Sequence, residues 1–431
     1  MRRALPSRSP TVALICASAT FSLVCTDSRE VHIAAEDYLI RLHDDPRTID
    51  AAAWNDLLAR QSAPTPFMRH EYLAALHASG SAVPDSGWAP RFVVLARDGA
   101  LAAACPAYLK HHSWGEYVFD WAWADAYRRH GLAYYPKLLV AVPFTPVAGT
   151  RLLATDEAAR TALLGALRAL ADDAALSSVH LLFADETDRR ACAAQGWLLR
   201  EGVQFHWTQD AGAPAADFDA LLARMARDKR KKIRQERRRV ADAGVGFEVL
   251  EGDAIDDASW DFFHRCYRLT YAAHRSTPYL TREFFAQAGR SLASHWVMFV
   301  AWQRGERIAA SLIAVDRARR AAWGRYWGAT RFVPCLHFEA CYHQPLAWCL
   351  AHGIERFEGG AQGEHKMARG LLPVRTHSAH WLRDARFAGA VADYLAREGA
   401  GIADYLDELR EHTPFVAAAP AGDPGSPRGC A

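Results

Sequence analysis

Residues 358–370, EGGAQGEHKMARG, combine four glycines with acids, bases and a histidine, directly after a predicted strand. Within this segment, Glu364 and His365 are candidate catalytic bases. A positioned carboxylate or a near-neutral imidazole can remove a proton from an attacking group. The alternative is a solvated loop whose charges pair with one another. Which of the two residues is the base stays open at the level of sequence.

The same segment also carries groups suited to holding a substrate. Lys366 and Arg369 are candidate ligands for a phosphate or a carboxylate, and arginine offers a two-pronged fit. Gly360 and Gly363 permit a close backbone approach to a ligand or tight turns. Gln362 lies between these glycines and is a further candidate for substrate binding.

A second candidate segment is LHFEACYHQ, residues 336–344, which opens a predicted helix. Glu339 is a third candidate catalytic acid or base, and His337 and Tyr342 are candidate substrate-binding residues. Tyr342 lies three positions after Glu339 and is predicted to share its face of the helix. The free amides of a helix start also favour an anion. A different interpretation stays open, because an acid in the first turn is stabilised by the helix dipole and the pattern favours a tyrosine that belongs to the core.

The run RDKRKKIRQERRR, residues 227–239, holds nine basic residues against two acidic ones on a predicted helix over 218–243. Such an imbalance exceeds what solubility requires and favours a polyanion contact, although a solvated face is the common explanation of charge runs. The candidate phosphate or tRNA contacts are Lys229, Arg230, Lys231, Lys232 and Arg234.

Composition places the chain among globular proteins. It has 431 residues, 51% hydrophobic and 23% charged, with a net charge of +2, so any polyanion contact must be a local patch. Its nine cysteines form no CxxC pair, which indicates reduced thiols and a cytoplasmic protein. Residues 1–36 are interpreted either as a weak export signal or as an extension from an early start codon.

The pattern of elements predicts a mixed α/β fold, because hairpins alternate with strand–helix–strand units. The predictions include a hairpin over 91–110 that turns at Asp98-Gly99 and an amphipathic helix over 157–176. The order of two helices, hairpin, strand, loop, helix and strand occurs twice, which predicts one domain over 37–210 and a second over 218–411. The Pro- and Gly-rich residues 412–431 are predicted to be disordered.

The chain resembles the Fem-like predicted N-acyltransferases, a family with two tandem GNAT-like domains. The resemblance spans roughly residues 37–411 and is carried by residues 115–138, 227–238, 336–344 and 358–381. It implies an active cleft between strands 321–328 and 354–359, with the aromatic loop predicted at residues 114–137 as a wall. Cys335 departs from the family's pattern, which has a glycine in this loop. The departure argues against coenzyme A binding at the loop.

We therefore expect an N-acyltransferase that moves an acyl group to an amine acceptor. The resemblance leaves the acyl donor open between acyl-CoA and aminoacyl-tRNA, the second acting on a peptidoglycan precursor. A non-catalytic module that recognises a phosphorylated ligand or nucleic acid is the alternative from another class. The expected partners are a small-molecule or cell-wall-precursor substrate, with tRNA as a further candidate, and no stable membrane insertion is expected. No metal is expected, because His377 and His380 are three positions apart on a predicted strand and face opposite sides.

Overall fold

The computed structural model describes residues 14–17, 20–23, 31–33, 38–361 and 363–416, with only the backbone described in the first three ranges. The interpretation of residues 1–36 as a signal or an extension therefore falls largely outside the described residues, as does the tail from 417 onward. Within the described part of the chain, no helix is long and apolar enough to cross a bilayer.

The first half of the chain comprises the elements up to residue 208. They are β1 Leu14–Ala17, β2 Thr20–Leu23, β3 Val31–Ile33, β4 Tyr38–His43, α1 Ala51–Ala59, α2 His70–Ala78, β5 Trp88–Pro90, β6 Phe92–Arg97, β7 Ala100–Cys105, β8 Ala107–Lys110, α3 Trp121–Arg129, β9 Lys137–Val140, β10 Leu153–Ala154, α4 Glu157–Asp173, β11 Ser178–Ala184, α5 Glu186–Ala194 and β12 Leu198–Thr208.

The second half begins at residue 218. Its elements are α6 Phe218–Ala223, α7 Arg227–Asp242, β13 Val245–Glu251, α8 Asp257–Ala273, α9 Arg282–Ser291, β14 Trp296–Gln303, β15 Glu306–Asp316, β16 Ala321–Ala329, α10 Leu336–Phe338, α11 Gln344–Ala351, β17 Arg356–Ala361, β18 Leu372–Leu382 and α12 Ala385–Glu411.

The two halves repeat one topology. Each has a pair of parallel strands joined by a helical crossover, β9 with β11 in the first half and β16 with β17 in the second. An eleven-stranded sheet joins them in the order β13-β14-β15-β16-β17-β12-β18-β11-β9-β8-β5. The last strand of each half therefore lies beside the parallel pair of the other half. This exchange ties the two units into one sheet.

Local sequence explains several of these elements. The turn between β6 and β7 places Asp98 at φ 52° and Gly99 at φ 78°, the pair of positive values that a two-residue hairpin turn requires. Helix α4 begins where the Asp156 carboxylate accepts a hydrogen bond from the Ala159 amide. The predicted hairpin and this helix are both confirmed.

The core continues from one half into the other. The Phe67 ring packs edge-on against Trp323 with centroids 5.7 Å apart, and Phe144 stacks on Tyr279 at 4.7 Å. Because these contacts join residues far apart in sequence, the first half supports the strands that form the site of the second.

Two sequence predictions differ from the structure. The predicted single helix over 218–243 is two helices, broken at residues 224–226, where Met225 bridges Phe415 and the Ala226 amide donates to the Pro414 carbonyl. This backbone pairing competes with continued helix and brings residues 414–416 of the predicted tail against α6 and α7. Residues 114–137, predicted as a loop, contain helix α3.

Candidate active site

The parallel strands β16 and β17 diverge and open a cavity. Their pairing covers Ala321–Trp323 against Arg356–Glu358 and then stops, and the following residues of both strands line a cavity of about 660 Å³. This is the divergence that the resemblance implies between strands 321–328 and 354–359. Gly324, Gly359 and Gly360 border it, so the backbone itself forms part of the wall.

One wall of the cavity combines α10 and the helical turn that follows it, residues 336–343, with the loop after β17. It carries His337, Cys341, Tyr342, His365 and Lys366. The Tyr342 hydroxyl and the His365 Nε2 are 3.2 Å apart and share a hydrogen bond. The Lys366 ammonium donates to the Gly360 carbonyl at 2.8 Å. This wall therefore brings together a candidate base, a hydroxyl group and a cation.

A π-helical turn sets the side chains of this wall. Residues Glu339–His343 form one turn of π-helix between α10 and α11, and the Ser311 hydroxyl donates to the Ala340 carbonyl. A π turn brings positions i and i+5 together, and the rings of His337 and Tyr342 lie 5.6 Å apart on one face. The prediction that Tyr342 shares a face with Glu339 is wrong, because it assumed a regular α-helix.

Burial changes the titration of this wall. It lowers the pKa of His337 to about 4 and the pKa of Lys366 to about 8. Partial desolvation also lowers the pKa of His365 from its usual value near 6.5, although the residue as a whole is exposed, and the charges of Arg369 and Lys366 act in the same direction. Near pH 7, both imidazoles are thus neutral, and the lysine is still largely charged.

The other wall is formed by α8, by β15 and β16 and by the first half of the chain. The first half contributes Tyr117, Phe144 and Pro146 to it. The second half contributes Arg325 and four further tyrosines, which are Tyr267, Tyr271, Tyr279 and Tyr326. Of the predicted wall at 114–137, only Tyr117 reaches the cavity. No aspartate or glutamate is among the described residues that line it.

Glu339 and Glu364, both predicted as catalytic, lie outside the cavity. Glu339 is buried toward the basic helix, where Arg237 Nε lies 3.2 Å and Gln344 Nε2 2.7 Å from its Oε1. The π turn directs it away from the face of His337. Glu364 accepts a hydrogen bond from the Tyr405 hydroxyl of α12 at 2.6 Å and is exposed. The structure therefore leaves His365 as the predicted base that lines the cavity.

The remaining predicted binding residues divide in the same way. Arg369 lies behind the wall, where its Nη2 pairs with the Glu236 carboxylate at 2.5 Å and its guanidinium stacks on the Phe338 ring. Arg369 is therefore held in contacts behind the wall and does not line the cavity. Gly363, at φ 108°, packs closely under the His365 ring, and Gln362 lies outside the described residues.

The basic helix α7 forms a separate surface. Lys231, Lys232 and Arg234 are exposed, whereas Lys229 and Arg230 are partly buried. Its next turns border a groove of about 550 Å³ whose lining includes Arg234, Arg237 and Arg238 along with Glu339. This groove and the central cavity have no lining residue in common. Within the described part of the chain, no cluster of three or more His, Cys, Asp or Glu side chains could hold a metal ion.

Sequence reasoning missed Arg325. It is the extra residue of a β-bulge, since Leu312 pairs with Tyr326 and Ile313 pairs with Gly324, so the ladder skips it. Bulges beside active sites redirect side chains, and this one directs Arg325 to the cavity wall. The only signal in the sequence is an arginine within the otherwise uncharged strand AAWGRYWGA.

The chain is similar to one protein family and to several solved structures. The model of the FemAB-like family, described as peptidoglycan biosynthesis/recognition, matches residues 45–417. The structure of L-PGS from Bacillus licheniformis is 12% identical, with a TM-score of 0.51 over 81% of this chain and 96% of that one. FemX is 10% identical, with a TM-score of 0.51 over 80% and 98%.

A third similar structure is a tandem GNAT protein from the clavulanic acid biosynthesis pathway, 13% identical, with a TM-score of 0.41 over 80% of this chain and 98% of that one. A search of curated proteins finds no match. The family match confirms the resemblance to Fem-like proteins, and the repeated topology agrees with the predicted α/β fold of two GNAT-like units.

Proposed function

Since the chain belongs to the FemAB-like family, we propose that it transfers an acyl or aminoacyl group to an amine acceptor held in the central cavity. The observation that carries this proposal is the cavity at the divergence of β16 and β17, where His365, Tyr342 and Lys366 converge. Amide formation requires a deprotonated amine, a stabilised oxyanion and a fixed arrangement of two substrates.

His365 is the proposed base. Its imidazole is neutral near pH 7, because burial lowers its pKa, and the Tyr342 hydroxyl fixes its orientation through the 3.2 Å hydrogen bond. In the proposed step, the amine nitrogen attacks the acyl carbon and His365 takes the proton that the amine loses. The proton then passes to the leaving thiolate or ribose oxygen, and the C–S or C–O bond breaks.

Lys366 is proposed to stabilise the oxyanion of the tetrahedral intermediate. Its ammonium is held at the cavity wall by the Gly360 carbonyl, and partial removal from water strengthens its interaction with a developing negative charge. A cation fixed before the reaction needs no rearrangement during it. His337, whose pKa burial lowers to about 4, is too weak a base for the same role and is proposed to line the substrate site.

The acyl donor separates two versions of this function. An acyl-CoA donor would need a loop that approaches a pyrophosphate, and Cys335 already holds a left-handed conformation there, at φ 67°, although it is not a glycine. An aminoacyl-tRNA donor is favoured by α7, whose exposed Lys231, Lys232 and Arg234 form a cationic surface beside a groove. The family description makes a peptidoglycan precursor the proposed acceptor.

Donor binding tests these versions. Purified protein is mixed with acetyl-CoA or with charged tRNA, and thermal stabilisation and filter retention are measured. Retention of tRNA that falls steeply with salt and is lost after Lys231→Glu and Lys232→Glu supports the tRNA version. Stabilisation by acetyl-CoA supports the other version. Retention of an anionic ligand without any turnover under either condition would contradict the transferase and favour a recognition module.

A further inference from the structure

We propose that the central cavity binds the free carboxylate of its amine acceptor at Arg325, so that the acceptor is an amino acid or a peptide with an unblocked acid group. The inference rests on the proposed function, because it names the substrate class of the same cavity. It is carried by the placement of Arg325, by its unfilled hydrogen-bonding capacity and by the charges of the surrounding wall.

The position of Arg325 is built into the strand. It is the bulged residue of β16, and its guanidinium is held between the Phe67 and Tyr326 rings, 4.9 and 4.8 Å from their centroids. Its Nη2 donates to the Phe144 carbonyl at 3.0 Å and to the Tyr326 hydroxyl at 2.8 Å. Contacts from both halves thus fix the cation at the cavity wall.

The hydrogen bonds of Arg325 do not use all of the N–H groups of its guanidinium. The contacts to Phe144, Tyr326 and Thr145 all use Nη2, the last at 3.3 Å, and Nε is buried without a partner. No carboxylate of the described residues lies within ion-pair distance of it, unlike Arg369, which pairs with Glu236. Arg325 is half-buried, and a guanidinium withdrawn from water normally has an anionic partner, so one without a carboxylate at a cavity points to an anion from the ligand.

The rest of the wall supports a ligand of single negative charge. The cavity lining holds no acid among its described residues. Burial raises the pKa of Tyr117, Tyr267, Tyr271 and Tyr279 above the usual value for a phenol, so these four side chains are neutral near pH 7. One guanidinium balances one carboxylate, whereas a phosphate carries more charge than this wall compensates. The second cation, Lys366, belongs to the wall with His337 and His365, where the reaction is proposed to occur.

Matched probes test the assignment. Glycine, L-lysine and L-alanyl-L-alanine are each compared with their C-terminal amides, and inorganic phosphate and pyrophosphate form a separate arm. Binding is measured on the full chain by thermal shift and calorimetry, without an acyl donor. At least one free acid should bind the wild type while its amide does not. Arg325→Met should weaken that acid ~30-fold or more, equivalent to about 2 kcal/mol.

Two further variants keep the test decisive. Arg319→Gln removes an exposed arginine on a surface turn and should leave binding unchanged. Arg325→Lys keeps the charge but not the planar fork, so it should bind the acid with intermediate strength if the methionine variant fails to fold.

The proposal is overturned if acid and amide bind alike, if no free acid binds, or if Arg325→Met binds as the wild type does. Binding of phosphate that depends on Arg325, without binding of the acids, also overturns it. Because the assay contains no donor, a failure of acyl transfer does not affect its result. Conversely, transfer that persists while no acid binds would contradict this inference alone.

Discussion

Replacing His365 with glutamine should remove the base of the proposed reaction while keeping a polar side chain at the cavity wall. A positioned base contributes roughly 10²–10⁴-fold to the rate, so kcat should fall by that factor, about 3–5 kcal/mol of activation free energy. The Tyr342 hydroxyl would lose its 3.2 Å contact with Nε2, but the fold around it should persist.

The direction in which kcat/KM changes with pH also follows from the proposed role of His365. A protonated imidazole cannot accept the proton of the amine, so kcat/KM should rise with pH through the pKa of His365, which burial holds below 6.5. Above about 8, Lys366 loses the charge proposed to stabilise the oxyanion, and the rate should fall again. The wild type should therefore show a bell-shaped profile of kcat/KM against pH, and the His365→Gln variant should lose the fall in rate at low pH.

The assay combines initial rates between pH 5 and 9 with proton NMR of the imidazole, assigned by difference against the His365→Gln protein. Glu364→Gln is the matched control, because that neighbouring side chain is exposed and bonded to Tyr405 away from the cavity. The control should retain a rate within about threefold of the wild type. An acid limb that survives in His365→Gln, or a variant as fast as the control, would refute the assignment of the base.

Three further predictions concern the framework and the basic helix. Gly328→Ala would place a methyl group 2.0 Å from the Cys266 carbonyl oxygen on α8, so it should destabilise the protein in urea titration and weaken ligand binding, whereas Gly246→Ala, with open space around it, should be nearly neutral. Lys137→Met should lower the free energy of unfolding by about 3–5 kcal/mol, because it strands the two buried carboxylates that pair with this lysine. Lys231→Glu should weaken tRNA binding and reduce the slope of log K against log salt by about 1 or more, and an unchanged slope would exclude a phosphate contact there.

Sequence reasoning reached the fold because its signals are local. The Asp98-Gly99 turn and the capped, amphipathic α4 could both be read directly from residue types and spacing. The exchange of β12 and β18 between the halves could not be read, since it depends on pairing between strands far apart in the chain. Helix α12 was not predicted either, although it places Tyr405 beside Glu364.

The two segments of the candidate site were identified from sequence, and the roles of their residues stay predictions. The segments around His337 and His365 do meet at the cavity, as their positions after neighbouring strands indicated. Glu339 was placed on the wrong face because a π turn shifts the register of the helix, and no residue type marks such a turn. Arg325 was missed for a similar reason, because a bulge is set by strand pairing rather than by local composition.

The central claim, transfer of an acyl group to an amine in the cavity, is tested most directly by mass spectrometry of the product. Isotopically labelled acetyl-CoA and charged tRNA are each supplied to the full chain with peptidoglycan precursor peptides, and new amide bonds are sought. The account predicts a labelled amide with one donor, formed by the wild type and by Glu364→Gln and largely lost in His365→Gln. A protein that binds precursor but forms no amide with either donor, or a His365→Gln protein that forms it at the wild-type rate, would contradict the account.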